Sequence, residues 1–269
     1  MKVAFSTLGC PGWSWAEIFA TAKDLGMDGI EIRGIGAQMY APETKPFLPE
    51  NIETAIEKMK KANMAFSMLS SGAELIAKDF DATKKELVAY IELAQKIGCD
   101  AVRVLCENSA APAGEVDLDM VAERYSEICD CAKGTGVMPL IETAGALADS
   151  AKMQAFIKKT NRPNAFVLWD IHHPFRYLKE SPKQTYGNLQ GLVKHVHVKD
   201  SVEQEGKTQY RMMGYGDLPV LDCLKLLAAD GYDRTVSLEW VKRWAPDLQE
   251  PGIVFSHYAH YMRYLLNQI

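Results

Sequence analysis

Short runs rich in Val, Ile, Leu and Phe recur along the chain, each followed by a longer stretch in which apolar and polar residues mix. The runs are VAFST (3–7), GIEIR (29–33), AFSMLSS (65–71), AVRVLC (101–106), MPLIET (138–143), AFVLWD (165–170), VKHVHVKD (193–200) and TVSLEW (235–240). Their length and branched side chains predict eight strands. Strand starts lie 26 to 42 residues apart, which leaves room for a helix in every interval. Repeated βα units of this kind build a parallel sheet.

The intervals carry helix signals. Ser14 and Glu17 have capping-box spacing, Ile18, Phe19, Ala22 and Leu25 form an apolar stripe, and Gly26 stands where a left-handed cap is wanted. Leu87, Ile91, Ala94 and Gly98 predict a helix over 83–98, and Leu221, Leu224, Leu227 and Gly231 one over 219–231. Three of these ends share a Gly-x-Asp form (Gly26 to Asp28, Gly98 to Asp100, Gly231 to Asp233), a turn device with no chemistry of its own. The fold expected is α/β, a single eight-stranded (β/α) TIM barrel occupying residues 1–269, a length close to the roughly 250 residues typical of that architecture. A doubly wound open sheet is the rival, but no GxGxxG follows the first strand and no P-loop is present.

Active groups of such barrels collect at the C-terminal ends of the strands. Polar residues fall there: Arg33, Ser70, Arg103 with Glu107, Glu142, Asp170, His197 and Glu239. Strands 5 to 8 each end in one potential metal ligand, Glu142, Asp170, His197 and Glu239. Three carboxylates and one imidazole form a hard, oxygen-rich set suited to one divalent ion, Mn²⁺ or Mg²⁺ first, with Co²⁺, Fe²⁺ or Zn²⁺ as alternatives. Any single carboxylate at a strand end could be a solvated loop residue or a helix cap. His195 and His197 share a face by alternation, so one of them is expected to be a supporting, hydrogen-bonded histidine; His197, nearer the strand end, is the expected ligand.

Composition narrows the partners. The net charge is −5 with cations and anions evenly mixed, which leaves no basic stripe for nucleic acid. No apolar run reaches the roughly 18 residues of a membrane span. The opening MKVAFSTLGC reads as a first strand rather than a signal peptide. Six scattered cysteines with no CxxC predict reduced thiols and a cytoplasmic protein.

The order Glu142, Asp170-Ile171-His172-His173, His195-x-His197-x-Lys199-Asp200, Gly214-x-Gly216-Asp217 and Leu238-Glu239 resembles the xylose isomerase-like TIM-barrel superfamily. That group includes sugar phosphate isomerases and epimerases, ketose 3-epimerases, inosose dehydratases and endonuclease IV. The resemblance covers the whole chain and implies that Glu142, Asp170, His197 and Glu239 hold the metal, that Glu142 and Glu239 are the catalytic acid/base pair, and that His173 contacts substrate or supports a ligand. It implies a small polyhydroxylated carbonyl substrate, isomerised or epimerised through an enediolate, in a dimer or tetramer. Trp13 is the aromatic residue expected against a sugar face, whereas Trp15 belongs to the packed side of the first helix. Arg211 reads equally as a substrate contact and as a solvated loop arginine. Lys199 with Asp200 reads as an ion pair fixing the loop or as a general acid/base.

The chain departs from the pattern in two places. Thr143-Ala144-Gly145 follows the first ligand glutamate where many relatives carry His or Asn, so a substrate contact is missing there. Strands 3 and 4 end in Ser70-Ser71 and Cys106-Glu107, not in the histidines of a trinuclear nuclease, which disfavours an endonuclease IV-like activity. A metal-dependent lyase or dehydratase on a keto-sugar or keto-inositol is the close alternative. A barrel without catalysis is less expected, because a dead site has no reason to keep four ligands in phase.

Overall fold

The computed structural model describes residues 1–269. In chain order the elements are β1 (Lys2–Ser6), α1 (Trp15–Asp24), β2 (Gly29–Ile32), α2 (Ile52–Lys61), β3 (Ala65–Glu74), α3 (Phe80–Ile97), β4 (Ala101–Leu105), α4 (Leu118–Cys131) and β5 (Met138–Glu142). There follow α5 (Ser150–Thr160), β6 (Phe166–Asp170), α6 (His172–Leu178), α7 (Pro182–Leu189), β7 (Val193–Val198), β8 (Asp200–Gln204), β9 (Lys207–Arg211), α8 (Val220–Ala229), β10 (Thr235–Leu238) and α9 (Pro251–Leu266). Eight strands close a barrel in the order β1-β10-β7-β6-β5-β4-β3-β2, and β8 and β9 form a separate antiparallel pair. The fold is a TIM barrel whose eight strands are the eight apolar runs, with β10 as the eighth. The predicted seventh strand is corrected at its end: it stops at Val198, and Asp200 opens the β8–β9 hairpin.

The chain divides into two compact units, Met68–Val196 and Met1–Ser67 with His197–Ile269. In the first, β3, β4, β5 and β6 pair in parallel, with Ser70 opposite Arg103 and Arg103 opposite Leu140. Met68, Ala101, Leu140 and Leu168 pack into one fully buried apolar layer. Side chains two residues apart on a strand share a face, so the next positions on that face are Ser70, Arg103, Glu142 and Asp170. Each Leu or Met in the lower layer contributes roughly 1.5–3 kcal/mol by leaving water. That layer is the floor on which the polar groups stand.

In the second unit β1 pairs with both β2 and β10, placing Phe5 opposite Ile30 on one side and Leu238 on the other. Ile30 and Ile32 are fully buried, and so is Glu31 between them. Phe255 of α9 stacks on Phe5 with ring centroids 4.0 Å apart. The capping box at Ser14 forms as its spacing predicts: the Ser14 backbone N–H donates to Glu17 at 2.7 Å, and the Glu17 N–H donates to the Ser14 hydroxyl at 3.4 Å. Gly26, Gly98 and Gly231 all adopt positive φ at the Gly-x-Asp turns. At the first of these, the Asp28 carboxylate also accepts the Val3 N–H at 2.7 Å and pins the start of β1.

Candidate metal centre

Glu142 is the last residue of β5 and is buried. The Arg103 guanidinium, two strand positions above the apolar floor, donates to it at 3.2 Å. Arg103 is itself fixed: its Nε and Nη2 donate to the Ser71 carbonyl at 3.1 and 2.9 Å, and the Ser71 hydroxyl donates to the Arg103 carbonyl at 2.7 Å. A guanidinium fork spends its donors in a set geometry, so it orients the carboxylate as well as compensating its charge.

Asp170 closes β6. Its Oδ1 accepts the backbone N–H of His172 at 2.9 Å and of His173 at 3.3 Å, so the carboxylate caps the start of α6. Thr143 ties this strand end to β5, its hydroxyl lying 2.9 Å from the Asp170 N–H and 3.2 Å from the Asp170 carbonyl. The His173 ring is directed at the same pair, with Nδ1 2.9 Å from the Thr143 carbonyl and Nε2 3.6 Å from Asp170 Oδ2. Among the two roles implied for His173, this geometry is that of a ligand support.

On β7, His197 is fully buried. Its Nε2 lies 3.0 Å from Glu31 Oε2 and its Nδ1 lies 3.6 Å from Glu239 Oε1. Glu239 follows β10 directly, its N–H bonded to the Val198 carbonyl at 3.0 Å, and the Lys199 ammonium donates to its Oε2. Lys199 thus donates to a predicted metal ligand. Asp200 fixes the loop by a different route. Its carboxylate accepts the backbone N–H groups of Ser201, Gly214, Gly216 and Leu218 at 2.9 to 3.3 Å. Burial pushes the Asp200 carboxyl above its ordinary value, opposed by those N–H groups. A Cβ on Gly216 would lie 2.0 Å from the Asp200 carboxylate; the Gly-x-Gly-Asp motif is a seat for Asp200.

The four predicted ligands come together. Glu142, Asp170, His197 and Glu239, all buried, offer ligand atoms within 4.8 Å of one another. The same spacing gathers Glu31 with His195 and His197, and Asp170 with His172 and His173. Three carboxylate oxygens and one imidazole nitrogen at such separations fit the donor set and reach of a hard divalent cation. Arg103 and Lys199 each compensate one of these buried carboxylates, and a bound cation would offset the remaining negative charge.

The other predicted contacts are held more loosely. Half-buried Trp13 meets Phe255 edge-on at 5.6 Å, while Trp15 stacks on Phe66 at 5.8 Å in the packed face of α1, as expected. Arg211, at the end of the hairpin, donates to its own neighbours, the Tyr210 carbonyl at 3.0 Å and Gln209 at 2.6 Å. Glu107, read from sequence as a polar strand end, seats the loop after Glu142: it accepts the Ala146 N–H at 2.6 Å. A Cβ on Gly145 would lie 2.3 Å from the Glu107 carboxylate, at a positive φ of 56°. Gly145 thus leaves room for the buried Glu107 carboxylate. Sequence reasoning passed over Glu31; its signal was a carboxylate alternating with two isoleucines on a strand that is buried on both faces.

A closed parallel barrel with buried acidic and imidazole groups at its strand ends defines a class of barrel enzymes. The sequence profile of the Xylose isomerase-like TIM barrel matches residues 19–255, and the chain belongs to that family. It is similar to fructoselysine 3-epimerase of Escherichia coli O157:H7, with 23% identity over 99% of this chain and 98% of the relative. Among solved structures it is similar to the probable 3-DHS dehydratase AsbF of Bacillus anthracis, with a TM-score of 0.80, 16% identity, and coverage of 98% and 99% of the two chains. It is also similar to a xylose isomerase-like TIM barrel protein of Mycobacterium smegmatis in complex with magnesium, with a TM-score of 0.77, 17% identity, and coverage of 99% and 97%. An enzyme of the sugar epimerase and isomerase type is the coarse reading that these relatives support.

Proposed function

We propose that the chain is a divalent-metal-dependent epimerase or isomerase of a sugar or sugar derivative. The observation that carries this reading is the convergence of Glu142, Asp170, His197 and Glu239 within 4.8 Å. Those four residues would hold the ion, with Mn²⁺ or Mg²⁺ the best match to the donors. The ion supplies Lewis-acid polarisation of a carbonyl and its neighbouring hydroxyl, which makes the adjacent carbon acidic.

The protein's part is to move one proton. Glu142 ends β5 and Glu239 follows β10, and in this reading the two would address a substrate from different directions. One removes the proton beside the carbonyl and the other returns it, which inverts the carbon if the faces are opposite. Arg103 and Lys199 hold these two carboxylates in place and compensate their charge. Trp13 and Arg211 are the candidate contacts for the remainder of the substrate.

Epimerisation by this route exchanges substrate hydrogen with solvent. Purified protein loaded with Mn²⁺ is expected to incorporate deuterium from D₂O, followed by NMR, into a member of a panel of ketoses, ketose phosphates and fructoselysine. No incorporation into any member would overturn the reading. A lyase is the second reading, favoured by the buried Lys199 ammonium beside Glu239 as a proton source for a leaving group. It would yield a product with enone absorbance in place of an epimer.

A further inference from the structure

Glu31 makes no first contact in the proposed reaction, yet it is as deeply buried as any residue in the chain. It lies on β2 between Ile30 and Ile32, and all three are wholly inaccessible to solvent. A carboxylate at such a position carries a desolvation cost that a leucine would not incur. It meets His197, whose Nε2 lies 3.0 Å from Oε2, and that side chain is also fully buried.

An imidazole has two different nitrogens. To bind a cation it must be neutral and must present a lone pair, so its proton has to sit on the other nitrogen. Nδ1 of His197 faces Glu239 at 3.6 Å, and Nε2 faces Glu31. An acceptor-only carboxylate beside Nε2 selects the tautomer with the proton on Nε2, and the same hydrogen bond stops rotation of the ring. The lone pair is thereby left on Nδ1, directed toward Glu239.

From this geometry we infer that Glu31 is the positioning residue of the metal centre, setting the tautomer and ring angle of His197 so that Nδ1 is the ligand atom. The inference rests on the metal reading above. Its test must therefore separate failure of that reading from failure of this one.

The experiment is calorimetric titration of metal-free protein with Mn²⁺, together with two-dimensional ¹⁵N NMR of the histidine rings, on wild type, Glu31→Gln and Glu31→Leu. Gln keeps an acceptor oxygen at the same reach, whereas Leu keeps only the volume. Wild type is expected to bind one Mn²⁺, Glu31→Leu to bind it about 10- to 100-fold more weakly, and Glu31→Gln to fall between them. The metal-free wild-type spectrum is expected to show the Nε2–H tautomer at His197, and Glu31→Leu to lose that preference. Wild type that binds no divalent ion would sink the metal reading. Wild type that binds Mn²⁺ while Glu31→Gln and Glu31→Leu bind equally tightly, or a His197 ring protonated on Nδ1 in wild type, would sink the role of Glu31 alone. If Glu31→Leu does not fold, the intermediate affinity expected of Glu31→Gln still decides the matter.

Discussion

Replacing Arg103 with Met removes a cation and leaves the volume of its stem. The pair it makes with Glu142 is buried on both sides, with side-chain exposures of 7% and 3%. Removing one partner of a buried pair leaves the other charge without its compensation, at a cost of about 3–5 kcal/mol. The Ser71 carbonyl also loses the two donors that hold it. For a chain of this size each kcal/mol lowers Tm by roughly 2–4 °C, so R103M is expected to melt roughly 6–20 °C below wild type. Scanning calorimetry of metal-free protein measures this. The double variant R103M/E142L tests the cause, since replacing both charges with apolar groups removes the stranded carboxylate and should recover most of the loss. R103M melting within about 1 kcal/mol of wild type would refute the argument that Arg103 compensates the buried charge of Glu142. A double variant as unstable as R103M would move the cost to the Ser71 contacts.

Three further outcomes are expected. Mn²⁺ at a hundred times its Kd adds about 2.7 kcal/mol, so thermal melts should rise by roughly 5–11 °C on loading and fall back when EDTA is added; an unchanged Tm would speak against a bound ion. Gly145→Ala places a Cβ 2.3 Å from the Glu107 side chain at a φ of 56° and should lose about 2 kcal/mol or more by urea denaturation, with a cost under about 0.5 kcal/mol counting against the seating of that loop. Burial pushes the Cys106 and Cys129 thiols up to about 12. At pH 8 such thiols hold a thiolate fraction of about one in ten thousand. A maleimide titration of native protein should therefore label Cys131, the one cysteine that is not buried, and reach the other five only after unfolding. Rapid labelling of several native thiols would contradict the packing.

The barrel was legible because its strands alternate against apolar neighbours and recur at a helix-sized interval, a signal that survives without knowledge of which strands touch. The β8–β9 hairpin was not legible. Its strands DSVEQ and KTQYR are polar and largely outside the core, so no period marks them. The turn between them is Glu205-Gly206, with φ of 52° and 71°, which has the backbone of a primed hairpin turn without the usual Asn-Gly or Asp-Gly. The quartet proposed as metal ligands was picked out by strand ends and motif order together, and its four members lie close to one another. Its supports could not be picked out in this way, because Arg103 and Glu142 are 39 positions apart, Lys199 and Glu239 are 40, and Glu31 and His197 are 166. Local periodicity reports which way a side chain points, and says nothing of which distant strand lies opposite. Glu107 illustrates the same limit: sequence places it among the polar residues at strand ends, and only the structure shows that its carboxylate holds the backbone of Ala146.

The two supported carboxylates are not equivalent, and the difference bears on the proposed chemistry. Arg103 keeps its proton under all conditions and is clamped by a carbonyl, so beside Glu142 it can steer and compensate but cannot donate. A lysine ammonium is a compact point charge that can serve as a proton donor, and Lys199 places one on Glu239. In the proposed reaction Glu142 then behaves as a carboxylate of fixed orientation, suited to the stereochemically demanding contact with a C–H bond. Glu239 has a partner through which a proton can leave or arrive. An epimerase needs only that both carboxylates exchange protons with substrate carbon. A lyase needs a further acid on one face, and in that second reading Lys199, which donates to Glu239, would supply it. Under the proposed function, the choice between the two activities would then turn on whether the proton on Lys199 stays in place during turnover.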